Sequence, residues 1–269
     1  MIKIIFSDMD GTLLNDEGNL PPNFDEIIEE LKSRGVIFAP TSGRQYFALL
    51  DMFRKYEDEF LFLAENGTIV KYHDDEIFSS PMELDDTREV LKVSNNLDEK
   101  KVLRVYSGKK DAYILKSQDV PFFREELEKF YTHSQTVESW SEIDDVPIKM
   151  AFFDITGHAK ENIYAKFLSL TERLQVVQSS DYWTDVMAKT INKGEAIKNI
   201  QRILAVSPSE CAAFGDFMND YEMMSAVDYS FAMENAHPEV KKVAKFHTAS
   251  NNDSGVIVGI KRLMDEGLI

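Results

Sequence analysis

Cysteine is almost absent from this chain. One residue in 269, Cys211, excludes an internal disulfide framework and makes a reducing cytoplasm the expected setting; its apolar surroundings point to a core position. Positive charge is scarce too: 30 Lys and Arg against 47 Asp and Glu leave a formal net charge of −17. Nucleic acid and anionic membrane surfaces reward basic patches, so neither is expected as a partner. No run of about 18 apolar residues exists for a membrane span, and Met1-Ile2-Lys3 leads into a strand-like run without a secretory cleavage pattern. Internal repeats, low-complexity tracts and long linkers are also missing, and the five histidines (His73, His133, His158, His237, His247) show no metal-ligand spacing. What remains, 43% hydrophobic and 29% charged, is an ordinary globular composition long enough for one large domain or two modest ones. The acidic balance creates one difficulty. An anionic substrate would need local positive charge, from a metal ion or a few placed lysines and arginines, set against the field of the whole protein.

The hydrophobic pattern alternates strands with helices at both ends of the chain. Ile2 to Phe6 reads as a strand buried on both faces, and PPNFDEIIEELKSRG carries Phe24, Ile27, Ile28 and Leu31 at helical spacing between paired prolines and Gly35. A second strand is expected over Val36 to Ala39, a helix from about Gln45 to Tyr56, and a third strand over Leu61 to Ala64. Asn66-Gly67 and Asp74-Asp75 then signal turns of a hairpin. Residues 82–187 follow a different rhythm of helices and longer strands, with Tyr182 and Trp183 read as packing aromatics, and the first rhythm resumes at GEAIKNIQRILA and CAAFGD. An α/β pattern interrupted and resumed implies a Rossmann-like, doubly wound parallel-sheet core, residues 1–81 and 188–269, with an inserted α+β domain at 82–187.

Four stretches fall at strand ends or helix starts, where open parallel sheets place their ligand sites. They are Asp8-Met9-Asp10-Gly11-Thr12, Thr41-Ser42-Gly43-Arg44, Ile191-Asn192-Lys193-Gly194 and Gly215-Asp216-Phe217-Met218-Asn219-Asp220. Each alone has a plain alternative. Asp8 and Asp10 suit a turn, though not a calcium loop, whose sixth position should be glycine and is Leu13. Ser42 suits a helix cap, and GDxxND a strand-to-helix turn favoured by the helix dipole. Lys193 fits least easily, because a cation at a helix start costs roughly 0.3–1 kcal/mol unless an anion lies near. Together they make a site: Asp8, Asp216 and Asp220 as hard oxygen ligands for Mg²⁺, and Ser42, the Gly43 amide and Lys193 as donors to phosphate oxygens.

DMDGTLL, TSGR, INKGEA and GDFMND, in this order, resemble the four motifs of the haloacid dehalogenase (HAD) superfamily of phosphohydrolases. The run FAMENAHPEVKKVAKFHTASNNDSGV is similar to the Cof-type sugar-phosphatase branch, which carries a large α+β cap between the second and third motifs. The resemblance implies that Asp8 attacks phosphorus to form an aspartyl-phosphate, and that Asp10 protonates the leaving alcohol and then activates water. It gives the metal to Asp8, the Asp10 carbonyl and Asp216, with Asp220 as an outer metal-shell acid, and phosphate contacts to Ser42, Gly43 and Lys193, with Lys193 also in the catalytic set and Asn219 a phosphate-binding or nucleophile-orienting amide. Thr41 is the rival for the Ser42 role, and Arg44 is either a substrate contact or part of a structural ion pair. The expected activity is Mg²⁺-dependent hydrolysis of small phosphorylated metabolites, sugar phosphates favoured, by a cytoplasmic monomer or weak homo-oligomer. The alternatives are a sugar phosphomutase, a pyridoxal-phosphate or nucleotide phosphatase, and an acidic metal-binding module without turnover. A dehalogenase is disfavoured, because the second aspartate and DGT mark the phosphotransfer branches.

Overall fold

The computed structural model describes residues 1–73 and 75–269; Asp74, expected with Asp75 to form a turn, lies outside the described residues. The chain packs into two compact units. The first comprises Met1–Ser42, Lys55–Phe78 and Asn192–Ile269, and the second Gly43–Arg54 and Ser79–Ile191.

The first unit is built on strands β1 (Ile4–Asp8), β2 (Ile37–Thr41), β3 (Leu61–Ala64), β4 (Ile69–Tyr72) and β5 (Asp75–Ser79). The second unit contributes β6 (Val102–Gly108), β7 (Ala112–Leu115), β8 (Ser134–Val137), β9 (Pro147–Asp154), β10 (Leu174–Gln178) and β11 (Trp183–Ala188). The chain then returns with β12 (Cys211–Gly215), β13 (Tyr229–Ala232) and β14 (Phe246–His247), giving a first sheet of order 14-13-12-1-2-3-4-5. From β14 through β3 the pairings are parallel, and β3 to β4 is antiparallel. Strand order reverses at β1 and β12, the kind of switch point outside which open α/β sheets bind ligands.

Apolar periodicity explains why these segments order. Helix Phe24–Ser33 buries Phe24, Ile27, Ile28 and Leu31, and burial of each large apolar side chain stabilises by about 1.5–3 kcal/mol. Phe24 meets Phe38 of β2 edge-on at 5.6 Å, and Phe38 meets Phe60 at 5.2 Å, which seats the helix on the sheet. Met9, between the two opening aspartates, is fully buried beneath the strand end, and Cys211 is buried in β12 with its thiol pushed up to about 11 by that burial.

Several elements differ from expectation. The second strand runs Ile37–Thr41, two residues beyond the expected Ala39, and the helix expected over 45–56 is Tyr46–Met52 followed by a 3₁₀ turn at Arg54–Tyr56. Residues 43–54 pack with the second unit. Gln45 donates from its backbone N–H to Phe130 O at 3.0 Å, and its side chain exchanges two hydrogen bonds with the His133 backbone. The second sheet, order 10-11-9-6-7-8, is antiparallel except for the β7–β8 pair. The helix expected over 161–170 passes from π through α to 3₁₀ geometry, yet keeps Ala159, Ile163, Phe167 and Leu170 facing the core.

Candidate active site

Asp8 is the last residue of β1, and Asp216 directly follows β12, its parallel neighbour, so two carboxylates emerge side by side at one edge of the sheet. Asp220 closes the turn after Asp216: its Oδ2 accepts the backbone N–H groups of Asp216 at 2.9 Å and Phe217 at 3.2 Å. Lys193 opens the helix Lys193–Ile203, capped by Asn192, whose side chain accepts the Glu195 N–H at 2.8 Å. The ammonium of Lys193 donates to Asp8 Oδ1 and, at 2.6 Å, to Asp220 Oδ1. Two anions therefore meet the cation that the helix dipole disfavours.

The ligand oxygens of Asp8, Asp216 and Asp220 lie within 4.8 Å of one another. Burial, and next the charge of Asp220, hold the Asp8 carboxyl well above the ordinary carboxylate range. The same two causes, in the same order, push Asp216 up to about 7, against a 2.7 Å hydrogen bond donated by Thr12 Oγ1. Burial acts to lower Lys193, but Asp220 and Asp8 outweigh it and keep the ammonium charged. Three carboxylates facing one ammonium leave an excess of two negative charges when all are ionised. Hard oxygen donors carrying that excess fit a divalent cation, and Asp8, Asp216 and Asp220 are the residues that would hold it.

Two glycines permit this packing. Gly11 sits at φ +79°, and a Cβ there would lie 2.6 Å from Asp216 Oδ2; at Gly215 a Cβ would lie 2.7 Å from Asp220 Cβ. Asp10 is exposed on the loop between them and β1, and pairs by a bridge with Leu14. Ser42 is buried at the end of β2, its N–H donating to Leu63 O at 2.9 Å, while the Thr41 hydroxyl donates to Ala39 O. Asn219 donates to Asn66 Oδ1 at 3.2 Å, and the Asn66 N–H donates to Ser42 O at 2.9 Å.

Of the expected site residues, Asp8, Lys193, Asp216 and Asp220 are thus gathered into one cluster, with Asn219 beside Asn66. Gly43 and Arg44 pack in the second unit: the Gly43 carbonyl accepts from Lys149 Nζ, and Arg44 donates to Lys129 O with its guanidinium 5.0 Å from the Phe130 ring centre. Sequence reasoning missed Thr12 and Asn66. Thr12 was visible only as part of DGT, and Asn66 looked like hairpin chemistry, a reading its φ of +57° supports without foretelling its link to Asn219.

The model for haloacid dehalogenase-like hydrolases matches residues 5–260 of the chain. The chain belongs to that family. A relative from Escherichia coli strain K12, the 5-amino-6-(5-phospho-D-ribitylamino)uracil phosphatase YbjI, is 28% identical over 264 residues, covering 98% of this chain and 96% of its own. Phosphatase YwpJ of Bacillus subtilis is 23% identical over 98% of this chain and 100% of its own. Among solved structures, SMU.1108c from Streptococcus mutans UA159 superposes with a TM-score of 0.89 at 25% identity, covering 98% of this chain and 100% of that one. The HAD subclass IIB sugar phosphatase BT4131 shares the fold, with a TM-score of 0.81 at 21% identity over 99% and 100% of the two chains. This HAD-like protein is a hydrolase of the phosphatase kind. Among the described residues no helix is long and apolar enough to cross a membrane.

Proposed function

We propose that this HAD-like hydrolase is a Mg²⁺-dependent phosphatase of small phosphorylated metabolites, sugar phosphates favoured, working through an aspartyl-phosphate. The observation that carries the reading is the group of buried Asp8 and Asp220 with half-buried Asp216 around Lys193 at the edge of the parallel sheet. The relative named for a phosphoribityl substrate supports a phosphate ester borne on a sugar-like chain.

In this reading Asp8 Oδ attacks phosphorus, the bond from phosphorus to the ester oxygen breaks, and the departing oxygen takes the proton of the Asp10 carboxyl. Asp10, now a carboxylate, removes a proton from water; the water oxygen attacks phosphorus, the bond to Asp8 breaks, and inorganic phosphate leaves with Asp8 restored. The exposure of Asp10 suits a group that must exchange protons with both alcohol and water. Lys193 holds Asp8 in line and offsets charge on the transferring group, while Ser42, the Gly43 amide and Asn219 supply donors to its oxygens. Asp8, the Asp10 carbonyl, Asp216 and Asp220 would hold Mg²⁺, which when bound would supply charge neutralisation for the phosphoryl oxygens. Arg44 is assigned a weak substrate contact, and the second unit, as an inserted cap, the choice of substrate.

A panel of phosphorylated metabolites assayed for phosphate release with and without Mg²⁺ tests the reading. Release is expected only with the metal and is expected to fall by about 10⁴-fold or more in Asp8→Asn. Activity surviving in that variant removes Asp8 from the nucleophile role. Isomerised sugar phosphate with little free phosphate would replace hydrolysis by phosphomutase chemistry.

A further inference from the structure

The run FAMENAHPEVKKVAKFHTASNNDSGV has no part in the chemistry above, yet it grips both loops that carry it. Asn235 Nδ2 donates to the Gly11 carbonyl at 2.7 Å, one peptide beyond Asp10. Two residues on, the His237 N–H donates to the Asp216 carbonyl at 2.7 Å, and Met233 N–H donates to Gly215 O at 3.2 Å. Asn251, which is buried, donates through one side-chain amide to Leu14 O at 3.1 Å and Asp16 Oδ1 at 2.9 Å, and its N–H donates to Asn235 Oδ1 at 3.1 Å. The two asparagines are thus interlocked, holding the first and last carbonyls of the span Gly11 to Leu14. That span is also closed by short bonds of its own, Thr12 N–H and Leu14 N–H to Met9 O and Leu13 N–H to Asp8 O, and the Thr12 hydroxyl ties it to Asp216 Oδ1 at 2.7 Å.

We infer that Asn235 is a positioning residue for the acid–base step, setting the Asp10 loop in register with the Asp216 loop by clamping the Gly11 carbonyl. The inference rests on the proposed phosphatase reading. Its reasoning is geometric. Gly11 is in the left-handed region and lies against Asp216, so a small rotation of its peptide changes both the aim of Asp10 and the space around Asp216. The loop's own bonds to Met9 and Asp8 fix its closure, and Thr12 ties its side chain to the Asp216 carboxylate, but these bonds leave the Gly11 carbonyl unheld. The Met233–His237 segment holds that carbonyl through Asn235 and the Asp216 backbone through His237. An asparagine is required because one side chain must donate to Gly11 and accept from Asn251 at once.

The test compares leaving groups, since p-nitrophenolate departs without a proton and an alkoxide does not. In Asn235→Ala, kcat/KM for an alkyl phosphate such as glycerol phosphate is expected to fall about tenfold, a part of the 10²–10⁴ that general acid catalysis supplies. For p-nitrophenyl phosphate the fall is expected to be under about threefold. Asn235→Asp, which sets an acceptor against the Gly11 carbonyl, should widen that difference toward about a hundredfold. Because Asn235 is exposed, melting temperatures should stay within about 2 °C of wild type. Equal losses on both substrates, or no loss on either, overturn the inference and leave the phosphatase reading standing if wild type is active and Asp8→Asn is dead. A wild-type protein inactive on both substrates overturns the reading, and the inference with it.

Discussion

Each unit of the molecule contains a fully buried lysine, and the two are neutralised differently. Lys193, in the first unit, is bound by the carboxylates of Asp8 and Asp220 with Asp216 close by. Lys149, in the second, meets the Asp185 carboxylate at 3.4 Å, the Gly43 carbonyl and the Tyr131 ring at 5.7 Å. Asp185 is itself held by the Ser179 hydroxyl at 2.7 Å. The second arrangement sets the ammonium against a buried carboxylate, a backbone carbonyl and a ring face, as suits a structural pair in a low dielectric. The first has more anion than it needs, which is unfavourable for a fold standing alone and sensible for a site awaiting a cation. Sheet topology explains where each could arise. Parallel strands deliver their C-terminal loops to a common edge, so Asp8 and Asp216 emerge together, whereas the antiparallel pair β9 and β11 sets Lys149 and Asp185 diagonally across the ladder, Lys149 opposite Met187 and Asp185 opposite Ala151.

Removing each ammonium should separate the two roles. Lys193→Met is expected to lower phosphate release by about 10²–10³-fold, the usual cost of losing one preorganised charge stabiliser. Lys149→Met is expected instead to cost about 3–5 kcal/mol of stability in denaturant unfolding, because the buried Asp185 loses the ammonium it packs against. Replacing the pair together, Lys149→Met with Asp185→Val, should recover much of that loss, since apolar substitutes for a buried pair are often neutral. A Lys149 variant that is as stable as wild type would erase the contrast.

A divalent cation should act on the first unit alone. At a concentration 100 times its dissociation constant, an ion that binds only the folded state adds about 2.7 kcal/mol. Mg²⁺ should therefore raise the melting temperature of wild type and chelation should lower it, while Asp216→Asn removes most of the response. An unchanged melting curve on adding Mg²⁺ would break the reading of the surplus charge.

How far the sequence disclosed this contrast follows from how local each signal is. Asp8, Asp216 and Asp220 stood in short motifs at or just after the ends of parallel strands, which the sheet brings together by its topology, and Lys193 stood in a motif at a helix start. The helix Phe24–Ser33 and the strand Leu61–Ala64 were legible because burial imposes a period on the residues. Lys149 and Asp185 gave no signal: one lysine in IKMAFFD and one aspartate in YWTDVMA look like solvent-facing strand positions until β9 and β11 are paired. Asn235 and Asn251 lay inside a run that stood out as a whole, but their roles were not legible there, because the carbonyls they hold are more than 200 residues away in the chain. The packing of residues 43–54 with the second unit hangs on Gln45, whose partners at Phe130 and His133 no local pattern could supply.

The smallest expected effect belongs to the second unit and involves no catalysis. Burial, and then the charge of Asp145, push the phenols of Tyr106 and Tyr113 up to about 12 from an ordinary 10.0. A folded-state value above the unfolded one means that the fold retains protons the unfolded chain releases. The corresponding stability is complete below pH 10 and is lost as pH rises toward 12. Asp145→Asn should bring both values down in a spectrophotometric titration, and Tyr113 by more. Tyr113 donates its hydroxyl to the Asp145 carboxylate at 3.2 Å, whereas Tyr106 donates to the Asp145 backbone carbonyl at 3.1 Å, a bond that survives the substitution. Equal shifts at the two tyrosines would mean that the carboxylate acts on both through space rather than through that one bond.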